Sequence, residues 1–233
     1  MNSNRPPVKS LLITIDGPAG AGKTTVSRML AGRLGYRYID TGALYRGIAL
    51  AVQNAGIDTR DDNALGELCR EIKLDFEYRG NNLRLMLNSE DVSDQIRSPQ
   101  ITMMASAVSA RPVVRSFLLN IQRRLGAAKK AVFEGRDMGT VVFPNADVKF
   151  FLDADPGLRA KRRYEELKAK KGQCPSMEQV ERDMLKRDRD DSTRQAAPLK
   201  PAPDAIRIDS TSLSIDQVVG VLIHHICAGN DSS

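Results

Sequence analysis

Short apolar runs alternate along the chain with longer stretches in which apolar residues recur every three or four positions. Leu11 to Ile15 is apolar or β-branched throughout, too short for a helix and suited to a strand buried on both faces. Helical spacing follows at Val26, Met29, Leu30 and Leu34, and Tyr36 to Ile39 reads as a second short strand. Leu44, Ile48 and Val52 keep a helical period behind Asp40 or Thr41, either of which can cap that helix. From about Cys69 the pattern changes. Leu74, Phe76 and Tyr78 alternate with charged residues, Gly80-Asn81-Asn82 makes a turn, and Leu83, Leu85 and Leu87 alternate again, which predicts a hairpin with one buried face.

Ser98 to Ser109 predicts a helix, and Pro112 opens another through Val113, Phe117, Leu118, Ile121 and Leu125. Ala131 to Glu134 and Asp147 to Leu152 are short strands. Asp155-Pro156 is an N-cap and first-turn pair, and Ser176-x-x-Gln179 is a capping box beyond the loop Gly172-Gln173-Cys174-Pro175. A last strand at Ala205 to Ile208 and a helix from Ile215 to Ile226 close the chain. The expected class is therefore α/β, with a parallel sheet of about five strands flanked by helices. We expect a loose tail over 1–10, a core formed by 11–69 and 106–233, and an insertion over 70–105 that carries the hairpin.

Composition changes this picture little. With 233 residues, 41% hydrophobic and 27% charged, the chain can build one good core. The net charge of +6 suits an anionic ligand, nucleotide or nucleic acid. Cys69, Cys174 and Cys227 are far apart and odd in number, matching neither a disulfide framework nor a metal spacing, which predicts a reducing, cytoplasmic setting. The apolar run after the first ten residues is too short for a signal peptide, and no stretch approaches the length of a membrane span. His224 and His225 are adjacent, so on a helix they point in different directions and do not form a ligand pair. No long apolar stripe is left uncovered, and a monomer is expected.

The chemistry begins directly after the first strand. Gly17, Gly22, Lys23 and Thr24 fill the pattern G-x-x-x-x-G-K-[ST], between a strand and a helix as that pattern requires. Chance alone gives roughly one match in a hundred chains of this length, before the flanking elements are considered. The glycines let backbone N–H groups close around a phosphate, and the helix behind adds the positive end of its dipole. Lys23 can reach the β- and γ-phosphates, and the Thr24 hydroxyl can ligate Mg²⁺.

A phosphate loop of this kind serves several chemistries. No N-K-x-D string is present to read guanine, and the Walker B strand of motor ATPases, four apolar residues ending in Asp or Asp-Glu, is not found. The nearest equivalent is Ala131-Val132-Phe133-Glu134, where Glu134 can hold Mg²⁺ through water. The strand ends in Glu134-Gly135-Arg136-Asp137, at the edge where doubly wound sheets bind ligands. A basic helix pair over 156–192 carries Arg159, Lys161, Arg162, Arg163, Arg182, Lys186, Arg187 and Arg189. It reads as a solvated surface, a nucleic-acid site or a lid over a triphosphate. Tyr164 is its single aromatic residue, which argues against stacking on single strands. A kinase acting on a small anionic acceptor remains, since such an enzyme positions two anions and neutralises the charge between them.

GPAGAGKTT, IDTGALYRG, EGRDMGTVVFP and RDRDDSTRQAAPL, in that order, resemble the bacterial cytidylate kinases, the CMP/dCMP kinases of the nucleoside monophosphate kinase group. The resemblance runs from about Leu11 to the C-terminal helix and implies a P-loop NTPase-type sheet, a monophosphate-binding insertion near the hairpin and a mobile lid over 156–192. It implies ATP with Mg²⁺ as donor and CMP or dCMP as acceptor, with no nucleic-acid or membrane partner. Gly17, Pro18, Ala19, Gly20, Ala21, Gly22, Lys23, Thr24 and Thr25 would hold ATP, with Arg159 and Arg163 from the lid. Arg46, Arg136 and Arg194 would grip the acceptor phosphate near Thr41, with Lys23, Arg136 and Arg194 the catalytic cations. Ser106, Arg115 and Asp137 match cytosine-reading positions, and Arg187 and Asp191 match ribose-holding ones. Metal would sit at Thr24 and, through water, Glu134, where some relatives carry the shorter Asp.

Read from the residues themselves, Arg46 is also a plausible solvated arginine, and Asp137 an N-cap or partner of Arg136. Arg187 and Asp191, four residues apart, could equally form an exposed helix pair. Other functions remain open on the residues alone: a P-loop kinase acting on UMP or a similar acceptor, or a basic RNA-binding P-loop protein.

Overall fold

In the computed structural model, β1 (Leu12–Asp16) runs through the middle of a sheet and every one of its residues is buried, as an uninterrupted apolar run requires. The structure describes residues 10–79, 82–169 and 175–228. The expected tail before residue 10, the hairpin tip at Gly80 and Asn81, and Gly172-Gln173-Cys174 lie outside the described residues. Along the chain, β1 is followed by α1 (Lys23–Leu34), β2 (Arg37–Asp40), α2 (Thr41–Ala55) and α3 (Asp62–Glu71). Then come β3 (Leu74–Arg79), β4 (Asn82–Leu87), β5 (Glu90–Asp91), α4 (Pro99–Ser109) and α5 (Pro112–Gly126). β6 (Ala131–Glu134), β7 (Val148–Asp153), α6 (Pro156–Ala169), α7 (Met177–Thr193), β8 (Ile206–Asp209) and α8 (Ile215–Ala228) complete it.

The main sheet has five strands in the order β2-β6-β1-β7-β8. β1 pairs in parallel with β6, Leu12 opposite Ala131 through Ile15 opposite Glu134, and with β7, Ile13 opposite Val148 through Asp16 opposite Phe151. β7 pairs in parallel with β8. This register sets Asp16 and Glu134 at the carboxyl ends of neighbouring strands, the edge at which parallel sheets bind ligands. The expected α/β class with a parallel sheet is the class observed.

The chain divides into two units. Among the described residues the first comprises 10–38, 128–193 and 197–228. Its core joins Ile13 and Ile15 to Leu30 of α1, Val132 of β6, Phe150 and Leu152 of β7, and Val219 and Leu222 of α8. The basic pair α6 and α7 has a small core of its own, Ala160, Val180 and Met184, with Tyr164, Leu167 and Ala19 of the glycine loop packed against it.

The second unit comprises 39–127 and 194–196. Leu44, Ile48 and Val52 of α2 share one core with Leu65 of α3, Leu74 and Leu85 of the hairpin, Val108 of α4 and Leu118 of α5. The apolar period that builds α2 is thus the surface on which the hairpin is buried, so this unit is wider than the 70–105 segment marked by the change in pattern. β3 and β4 pair antiparallel, with Leu74 opposite Leu87 and Tyr78 opposite Leu83. Leu74, Leu85 and Leu87 are buried as the alternation predicts, but Met86 is buried too, while Tyr78 is 56% exposed. Burial therefore follows distance from the hairpin base more than alternation. α3 has no counterpart in the sequence reading, although Asp61 accepts hydrogen bonds from Asn63 N and Ala64 N at its start.

Caps fall where the residue types place them. Asp40 accepts from Ala43 N, Ser98 from Ile101 N, Asp155 from Leu158 N and Ser176 from Gln179 N. Among the described residues no helix is long and apolar enough to cross a membrane.

Candidate active site at the ends of β1 and β6

The loop after β1 is shaped by backbone. A Cβ at Gly17, whose φ is 146°, would lie 1.9 Å from the Leu152 carbonyl oxygen, so only glycine lets the chain cross the end of β7 there. Gly22, left-handed at φ 88°, precedes α1 without a side-chain cap, and the first-turn amides of Lys23, Thr24 and Thr25 open toward the loop. Lys23 is buried, and its Nζ donates to the Pro18 carbonyl at 2.6 Å, closing the loop on itself. Burial lowers its pKa to about 7; the neighbouring charges of Arg136 and Arg187 push the same way and those of Glu134 and Asp16 oppose them. The Thr24 hydroxyl donates to Glu134 Oε1 at 2.7 Å, and the Tyr38 hydroxyl donates to Oε2 at 2.6 Å. Tyr38 in turn lies under the Arg28 guanidinium, 5.2 Å from its ring centre.

The loop after β6 is shaped by side chains. The ladder ends where Gly135 N donates to Ile15 O at 3.1 Å. Three residues later the Asp16 carboxylate takes over, accepting from Met138 N at 2.9 Å and Gly139 N at 2.7 Å. Arg136 and Asp137 form the crown of the short arch between these anchors. Beyond it a π turn, Met138–Val142, is closed by Val141 N and Val142 N on the Asp137 carbonyl. Asp137 is buried. Arg136 donates through Nε to Asp191 Oδ2 of α7 at 3.1 Å and through Nη1 to the Gly135 carbonyl. Asp191 is buried in this contact and is therefore not an exposed residue of α7.

Asp16 is the residue that sequence reasoning missed here. Burial raises its pKa to about 6 against the lowering effect of the two amide bonds, and the Asp137 charge adds to the rise. The available signal was an acidic residue ending an otherwise apolar strand, immediately before the first glycine of the loop.

The basic helices divide by environment. Arg159 is buried, donating to the Ala154 carbonyl through Nε and to the Ala19 carbonyl through Nη1, each at 3.0 Å, and pairing with Asp188 of α7. Arg163 pairs with Glu166 one turn along α6 and is far more open. Arg187 is half-buried on α7.

The remaining expected residues lie in the second unit. Thr41 is buried at the start of α2, and Arg46 donates to Asp40 Oδ2 at 2.7 Å. Arg115 lies over the Tyr45 ring at 5.6 Å and donates to the Ser109 carbonyl, while the Ser106 carbonyl accepts from the Ser109 hydroxyl. Arg194 is half-buried in the 194–196 segment. Thus Arg136, Asp137, Arg187 and Asp191 belong to the first unit, and Thr41, Arg46, Ser106, Arg115 and Arg194 to the second.

A five-stranded parallel sheet, a glycine loop closed by a buried lysine and an arginine-bearing arch on the next strand define a P-loop nucleotide kinase. The cytidylate kinase family model matches residues 13–228, and the chain belongs to that family. It is similar to the cytidylate kinases of Citrifermentans bemidjiense, at 49% identity over 91% of each chain, and of Geobacter sulfurreducens, at 49% identity over 91% of this chain and 90% of the relative. Its fold is similar to that of an uncharacterized protein from Eubacterium ventriosum, with a TM-score of 0.51 at 16% identity over 94% of this chain and 99% of that one.

Proposed function

We propose that the protein transfers the γ-phosphoryl group of ATP to CMP and dCMP, giving CDP and dCDP. The observation that carries this reading is the pairing of β1 with β6, which sets a phosphate-binding loop beside an arch bearing Arg136 and Asp137. Phosphoryl transfer asks mainly for position and charge neutralisation. Arg136 and Arg187 lie near Lys23, opposed by Glu134 and Asp16, and in this reading the three cations meet a phosphate. Cytosine offers an N4 amino group to the Asp137 carboxylate, whereas uracil turns an O4 acceptor toward it. Asp191 accepts from ribose hydroxyls in this reading, with Arg187 beside it. By the family resemblance, Arg46 and Arg194, with Thr41, are assigned to the acceptor phosphate, and Ser106 and Arg115 to the base.

Thr24 and Glu134 fit Mg²⁺. Both present hard oxygen atoms, they lie in direct hydrogen-bond contact, and Mg²⁺ is usually held by one or two protein oxygens together with substrate phosphates and waters. When bound, it would neutralise charge on the donor phosphates. The reading places the enzyme in the cytoplasm as a monomer.

A coupled assay of ADP release at fixed ATP and Mg²⁺, run with CMP, dCMP, UMP and AMP, tests the substrate. CMP and dCMP should turn over with kcat/KM at least ~10-fold above UMP and AMP, the margin that one well-placed polar contact to the base supplies. A preference for UMP or AMP would overturn the reading.

A further inference from the structure

Asp16 belongs to neither set of residues expected to touch a substrate, yet its side chain is where the two loops of the site meet. It is the last residue of β1 and directly precedes Gly17 of the phosphate loop. Its two carboxylate oxygens accept from consecutive amides, Oδ1 from Met138 N and Oδ2 from Gly139 N. The regular β1–β6 ladder stops at Ile15 O and Gly135 N, so these two bonds extend strand pairing by means of a side chain. Only Arg136 and Asp137 lie between the last backbone anchor and the first side-chain anchor. The length and pitch of their arch are thereby fixed from the foot of the phosphate loop.

The far side of the clamp is equally close. A Cβ on Gly139 would stand 3.1 Å from Thr14 Oγ1, 3.2 Å from Lys149 Cδ and 3.4 Å from Asp16 Oδ2. A side chain at position 139 would therefore be tight against β1 and β7, so that its neighbours would have to shift by a few tenths of an ångström. A neutral Asn at position 16 would keep the shape but offer one acceptor to two amides, and its own NH₂ would face the other N–H. A buried amide would then lack a partner.

We propose that Asp16 is a positioning residue for acceptor recognition: it clamps the Met138 and Gly139 amides so that Arg136 and Asp137 meet the nucleotide monophosphate in a fixed geometry relative to the phosphate loop. This rests on the reading that Asp137 and Arg136 contact the acceptor. Asp16 itself touches neither substrate. Its loss acts on acceptor efficiency and base selectivity and spares ATP binding.

The experiment compares Asp16→Asn, Gly139→Ala and Asp137→Asn with the unaltered enzyme. Amide hydrogen exchange at Met138 and Gly139, followed by NMR, reads the clamp without reference to any substrate. In Asp16→Asn, protection there should fall by about 10-fold or more while Val132 and Phe133 in β6 stay protected. kcat/KM for CMP should fall by about 10- to 100-fold, with the CMP-to-UMP ratio reduced and binding of a fluorescent ATP analogue unchanged. Gly139→Ala, which pushes the arch away without altering Asp16, should move selectivity in the same direction. Unchanged protection at Met138 and Gly139 in Asp16→Asn overturns the clamp. A uniform loss of ATP binding and turnover, with the CMP-to-UMP ratio kept, assigns Asp16 a purely structural role and overturns the proposal as well. If Asp137→Asn alone keeps wild-type selectivity, the reading of Asp137 fails. The clamp then stands or falls on the exchange data and on CMP efficiency through Arg136.

Discussion

The loop that follows β1 and the loop that follows β6 lie at the ends of adjacent strands, but they are built from different materials. The first is made of consecutive residues. Gly17 crosses β7 on its own backbone freedom, and Lys23 closes the loop on Pro18 only five residues back. The second is held from afar: Asp16 reaches across 122 and 123 positions to the amides of Met138 and Gly139, and Asp191 across 55 to Arg136. A site made of backbone depends on a few local residues with special conformations. One made of side chains depends on partners that no local window contains, and substitutions far from the substrate can disturb it. The two loops should therefore fail in different ways.

The largest effect is expected in the backbone-built loop. Lys23→Met keeps most of the stem and removes the charge, and turnover should fall by about 100- to 1,000-fold, the usual loss for one preorganised transition-state contact. Lys23 is buried beside two other cations, so its charge is a cost to the free protein. Thermal unfolding of the Met variant should thus occur at the wild-type temperature or above. Near-normal turnover would mean that the loop acts through its amides alone.

Next in size is a pH effect in the side-chain-built loop. The folded-state pKa of Asp16 is about 6 against an ordinary value of 3.8. The folded protein therefore holds this proton more tightly than the unfolded chain. The stability it contributes is complete below 3.8 and is lost as pH rises through 6, and a shift of this size amounts to on the order of 3 kcal/mol. Denaturant titrations of wild type and Asp16→Asn at pH 4 and pH 7.5 should show the difference between them moving against the wild type by about that much. A difference that stays flat with pH would show that the clamp carries no titrating charge in this range.

Asp191→Ala comes third. It removes the carboxylate that steadies Arg136 and, in the proposed reading, the contact to the sugar. Hydrogen bonds to charged groups contribute roughly 1.5–3 kcal/mol, so kcat/KM for CMP and dCMP should drop by about 10- to 150-fold. Steady-state kinetics with both acceptors would separate the two roles. Equal loss on CMP and dCMP points to Arg136 or the shared 3′-hydroxyl, and a loss confined to CMP points to the 2′-hydroxyl. Wild-type efficiency on both would remove Asp191 from the site.

The same contrast explains what could be read from the chain. Glycine loop, strand and helix are contiguous, so the spacing of Gly17, Gly22, Lys23 and Thr24 was enough to mark a P-loop there. Apolar runs located β1 and β6 because strands buried throughout carry few polar residues to interrupt the run, whereas the edge strands β2 and β8, with Arg37 and Arg207, showed only short apolar stretches. Arg136 and Asp137 were found through a family motif, but the reason they stand where they do, Asp16, was not. A single Asp gives no periodic signal, and its partners are backbone amides that any residue carries. α3 was overlooked for a related reason: its buried residues, Leu65, Gly66 and Cys69, make only a narrow stripe between charged neighbours. Arg159 and Arg163 looked alike in the sequence, four residues apart on one helix. Only packing distinguishes them, because Arg159 is drawn under the Ala19 carbonyl and against Asp188 whereas Arg163 stays near the surface.

That pair supplies the smallest expected effect and the finest test of the comparison. Arg163 pairs with Glu166 three residues along the helix, with the two side chains 31% and 52% exposed. Such a pair contributes only a few tenths of a kcal/mol and is screened by salt. Arg163→Ala should therefore leave the unfolding temperature within about 2 °C of wild type. If Arg163 serves the donor phosphates from the helix pair, the variant should still show a KM for ATP raised by about 3-fold, with kcat for CMP little changed, and the increase should shrink at high ionic strength as expected for an exposed charge. An unaltered KM for ATP at low salt would leave Arg163 as a solvated surface residue. The donor site would then consist of the glycine loop and Lys23, with no cation from α6.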